Sequence, residues 1–74
     1  MKNMIQIHDY VAILVDIENK PVTRGTTGTV VSKLSDTHFL VEFSDSEGQV
    51  YEQIPIHRNN LLVLHPITEN LEVG

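Results

Sequence analysis

Cysteine is missing from this chain of 74 residues, so no disulfide staples it and no thiolate holds a metal. That absence fits a reducing compartment, and a cytoplasmic location is the expectation. Cations are scarce: five Lys and Arg stand against ten Asp and Glu, for a formal charge of −5. Nucleic-acid binders draw most of their affinity from cations that neutralise phosphates. Here Lys2, Lys20, Arg24, Lys33 and Arg58 are scattered singly, so DNA and RNA are not the expected ligands. Long apolar runs are absent too. The opening Met-Lys-Asn-Met-Ile-Gln-Ile-His-Asp carries no leader-type apolar core, and no stretch reaches membrane-spanning length.

Catalytic patterns are equally sparse. His8, His38, His57 and His65 show no H-x-x-x-H or H-E-x-x-H spacing, so they are read as surface residues and no metal is assigned. Ser44 and Ser46 lack a nucleophile-elbow sequence. Gly25-x-x-Gly28 precedes no helix start and no P-loop lysine, so it is a turn and not a phosphate cradle. No enzymatic activity and no cofactor are expected.

What is present is β-sheet patterning. A domain this short buries only about 60% of its unfolded surface, so its core must be small, and oligomerisation is one remedy left open. The chain reads as a single domain, with a core over about 9–65 and a tail over 66–74. The apolar stretch from Tyr10 to Val15 has the length of a buried strand. Asp16 to Arg24 is a loop with Asn19-Lys20-Pro21 as its turn. Gly25-Thr26-Thr27-Gly28-Thr29-Val30-Val31 couples a tight turn to β-branched residues, and both glycines are expected at positive φ. Strand residues then run from Thr29 to Leu34 and, after Ser35-Asp36-Thr37, from His38 to Ser44.

Phe39, Val41 and Phe43 give that third strand one apolar face. Asp45-Ser46-Glu47-Gly48 is a hairpin turn with glycine in the left-handed place, leading to a strand over Gln49–Ile56. Pro55 lacks a ladder donor, which suits a strand end or an edge. His57 to Asn60 form one helical or 3-10 turn, and Leu61 to Leu64 a last short strand. Met4, Ile5 and Ile7 pack over an open end of the fold, and the tail after Pro66 frays or docks on a neighbour. The expected architecture is all-β: a small five-stranded SH3-like barrel with one short 3-10 turn before the last strand.

Three features invite a functional reading. Asp36, Glu42, Asp45, Glu47 and Glu52 fall within 17 residues that hold no Lys or Arg. Such a run is either a solvated edge or a surface complementary to a basic partner protein. Leu40 lies on the face opposite Phe39, Val41 and Phe43, and Tyr51 joins it if the register is simple, which would make a small patch suited to a homodimer. Glu52 shares its period-two face with Val50, Ile54 and Ile56. A lone buried carboxylate would cost several kcal/mol, so a bulge near residues 51–53 is expected there, or else a polar pocket with a role.

Several of these blocks together resemble a known family. Asp9-Tyr10-Val11, Gly25-Thr26-Thr27-Gly28-Thr29-Val30-Val31, Val41-Glu42-Phe43-Ser44-Asp45 with Gly48, and Asn60-Leu61 are similar to short bacterial proteins grouped as domain of unknown function 4926. The resemblance spans about residues 8–64. The glycine–valine turn is also similar to the KOW element of ribosomal and transcription-factor barrels. The family resemblance implies an SH3-like fold and supplies no catalytic residues. It also implies the company of toxin-like or mobile-element genes, where small acidic proteins act as antitoxins or immunity-type antidotes. The reading that results is a non-catalytic module that binds another protein, its alternatives an antidote or a KOW-like nucleic-acid binder.

Overall fold

The structure, a computed structural model, describes residues 4–65. Its strands are β1 (Tyr10–Ile13), β2 (Thr27–Lys33), β3 (His38–Ser44), β4 (Val50–His57) and β5 (Leu61–Val63), with a 3-10 turn at Arg58–Asn60. They form one antiparallel sheet in the order β4-β3-β2-β1-β5. Among the described residues there is no other helical element. The all-β class, the number of strands and the turn before the last of them match the expectation. The tail lies outside the described residues.

The sheet does not close into a hydrogen-bonded barrel. Among the described residues β4 pairs only with β3, and β5 only with β1. A single 3-10 turn joins β4 to β5, too short a connection to reverse the chain beside β4, and it delivers Leu61 opposite Ile13. The first loop covers part of the interior. Ile17 bridges to Val22 around Asn19, which sits at φ 65°, and Val22 is fully buried. Ile5 and Ile17 pack against the same core.

That core is the inner face of the sheet. Val11 and Ile13 enter it from β1, Val30 from β2, Phe39, Val41 and Phe43 from β3, and Ile54 and Ile56 from β4. Burying one such side chain contributes about 1.5–3 kcal/mol, so Phe43, the largest fully enclosed one, is a main anchor.

The two glycines of the Gly25–Val31 stretch do different work, and one differs from the expectation. Gly25 is left-handed at φ 93°, with open space where a Cβ would stand. Gly28 is not at positive φ; it lies inside β2 as ordinary extended backbone. A Cβ there would meet the Glu42 carbonyl oxygen at 2.8 Å, Val41 Cγ1 at 2.8 Å and Phe43 Cδ1 at 2.9 Å. The missing side chain is what lets β3 and the Phe43 ring close on β2. Gly48, at φ 83°, takes the left-handed place of its hairpin as the turn chemistry required.

Candidate functional site

The acidic run does not fold into one surface. Asp36 stands in the β2–β3 turn, with its Oδ1 3.9 Å from Lys33 Nζ. Asp45 and Glu47 sit beyond the other end of β3, a strand of seven residues and so about 23 Å long at 3.3 Å per residue. Asp45 is occupied by its own turn, where Oδ1 accepts from the backbone N–H groups of Glu47 and Gln49, both at 2.9 Å. Glu42 lies mid-strand with the parity opposite to Phe43. Glu52 keeps the inward parity of Ile54 and Ile56.

Glu52 does not become a lone buried charge. The expected bulge occurs, at Tyr51, because Phe43 pairs with Glu52 while Ser44 pairs with Val50. It turns Val50 outward and leaves Glu52 at the rim of the inner face. There its Oε1 is 3.7 Å from Lys20 Nζ, which reaches over from the first loop. The cations absent from the run in sequence thus come back to two of its acids in space.

Leu40 and Tyr51 are not neighbours. Leu40 pairs with Pro55 and Ser32, while Tyr51 stands at the bulge near Ser44, about four residues further along β3. The register that sets Leu40 opposite Pro55 keeps the two apart. Leu40 is half-buried and Tyr51 exposed.

The outer face of the sheet gathers a different set of side chains. One row across it reads Tyr10, Thr29, Glu42, Gln53, each directly paired with the next. A second row reads Leu62, Ala12, Thr27. The Tyr10 hydroxyl and Thr27 Oγ1 are 2.9 Å apart, a hydrogen bond that lays the ring over β2. Gln53 Nε2 donates to Glu42 Oε2 at 3.1 Å. Tyr10 and Leu62 remain about half exposed, at 52% and 50%. No described element covers these rows.

The ends of β3 and β4 carry the histidine pair. His38 and His57 are cross-strand partners with ring centroids 5.1 Å apart, edge to face. His57 Nδ1 accepts the Asn59 N–H at 3.0 Å and so caps the 3-10 turn. His38 Nδ1 is 2.9 Å from Thr37 Oγ1. Beside the turn, Ile5, Gln6, Asp9, Arg58, Leu61 and His65 border an open cleft. Among the described residues no three His, Asp or Glu side chains converge as metal ligands, and no helix is long and apolar enough to cross a membrane.

Residues 7–63 match the model of a family described as a domain of unknown function, DUF4926. The chain belongs to that family. No curated protein and no solved structure matches it. The match takes in every strand and the whole of the outer face, from Tyr10 to Leu62. Tyr10, Thr27 and Gln53 were not singled out as site residues from the sequence. The available signal for Tyr10 was a polar-tipped aromatic heading an apolar strand, and for Glu42 a charge set between Val41 and Phe43.

Proposed function

We propose that this DUF4926 protein is a non-catalytic module that binds another protein through the outer face of its sheet. The observation that supports this most is the pair of side-chain rows that no described element covers, with Tyr10 and Glu42 held by hydrogen bonds and Ala12, Leu62, Thr27 and Thr29 adding aliphatic and threonine surface. Ordered side chains of this kind lose little freedom when a partner arrives. A partner with a basic surface is the reading that agrees with the excess of acids. The antidote form of this proposal differs only in the partner's identity.

The competing uses are weaker. Two copies, each of formal net charge −5, would repel each other on approach. Nucleic acid would meet a strand face whose one full charge is a carboxylate, with Lys20 and Lys33 already beside acids. The test is affinity capture with the tagged protein in its host, then binding of the purified candidate by calorimetry. Direct, saturable binding to one protein supports the module. Failure of every purified candidate to bind, or submicromolar and steeply salt-dependent binding to RNA or DNA, overturns it. Sedimentation at tens of micromolar, roughly where weak interfaces populate, separates out self-association.

A further inference from the structure

The outer face has one charged strand residue, and its surroundings specify what that charge is for. We infer that the face recognises a lysine or arginine side chain of the partner protein, with Glu42 taking the cation and Thr29 and Tyr10 supporting its stem. This deepens the protein-binding reading and rests on it.

The register carries the argument. Tyr10, Thr29 and Glu42 occupy adjacent positions on β1, β2 and β3. Neighbouring strands stand about 4.8 Å apart, which places Glu42 roughly 10 Å from Tyr10 with Thr29 between them. That span suits a long cationic side chain. The head reaches the carboxylate while the methylene stem lies over the threonine methyl toward the aromatic ring. Gln53 holds Oε2 from the far side at 3.1 Å, and Oε1 has no hydrogen-bond partner among the described residues. Glu42 is half-buried, so its attraction is screened less than that of a fully exposed acid. The Tyr10 ring is pinned by its hydroxyl to Thr27, so little side-chain freedom remains to be lost on binding.

Charge decides the occupant. Across the outward positions of all five strands, Glu42 is the one full charge, so the face offers a carboxylate and no cation. A second copy would bring another carboxylate and more net negative charge. An acidic protein or a nucleic acid would be repelled. A cation flanked by apolar groups complements both the carboxylate and the half-exposed Tyr10 and Leu62.

A random peptide library displayed on phage and panned against the purified protein tests this directly. The expected binders carry Lys or Arg between apolar residues. A synthetic copy of one should lose about tenfold in affinity for Glu42→Gln, the scale of one charge-assisted hydrogen bond. It should bind Glu47→Gln as it binds the parent, because Glu47 sits away from this face on the hairpin. Both variants are checked for parental melting first. No enrichment, binders without Lys or Arg, or equal loss in the two variants overturns the inference. If a captured partner protein binds Glu42→Gln at parental affinity, this inference falls while the wider binding reading stands.

Discussion

β3 shows two regions of the molecule in seven residues, because its side chains alternate between the faces of the sheet. Phe39, Val41 and Phe43 point inward and are 4%, 0% and 0% exposed. Leu40 and Glu42 point outward and are half-buried. The inward set is held by packing alone, and every neighbour constrains it. On the outward side Glu42 is held by a hydrogen bond from Gln53, and one side of the set is open. A shift of one residue therefore separates a position that sets stability from one that can set recognition.

The comparison is broken most severely from the inside. Phe43→Ala should cost about 3–5 kcal/mol, as large aromatic truncations in cores do. A domain of this length has a total stability of only about 4–11 kcal/mol at 0.05–0.15 per residue, so urea titration should find the variant largely unfolded or nearly so. The glycines come next and sharpen the contrast. Gly28→Ala presses a methyl against the Glu42 carbonyl and the Phe43 ring, and should cost about 1–3 kcal/mol. Gly25→Ala has room for its methyl and only the φ of 93° to resist it, so its loss should be smaller, about 1 kcal/mol. Thermal melts of the two variants side by side check the order; the reverse order would mean that backbone strain outweighs packing here.

Smaller effects belong to the surface. Asp45→Ala removes an acceptor of two turn hydrogen bonds and should cost about 1 kcal/mol, read as a lower urea midpoint. Glu42→Gln keeps the shape of the side chain and should move stability by no more than about 0.5 kcal/mol. If its stability falls as far as that of Gly28→Ala, the outer face is a part of the structural frame.

Local chemistry was legible in the sequence. Strand β3 runs from His38 to Ser44, as its alternation said, and Gly48 takes the left-handed place its turn required. Long-range register was not legible. The alternation of β4 calls for a bulge near residues 51–53, but its place at Tyr51 and the register around it are set by pairing with β3. It turns Val50 out, while the pairing of Leu40 with Pro55 leaves Tyr51 about four residues further along β3. For the same reason five acids that are close in sequence part company: a strand alternates faces, and a strand of seven residues carries its two ends far apart. Gly28 was read by the commoner reason for a glycine, positive φ, when the cause is a neighbour brought in by the fold. The lack of barrel closure likewise depends on where β5 lands, opposite β1.

The central claim is that the protein meets its partner on the outer face of the sheet, around Glu42, and away from the acidic hairpin tip. The most direct measurement is an amide chemical-shift map of isotope-labelled protein as the captured partner is added. The account predicts shifts concentrated at Tyr10, Ala12, Thr29, Glu42 and Gln53, which neighbour one another across four strands. Shifts confined to Asp45 through Gln49, with the outer rows unmoved, would contradict it.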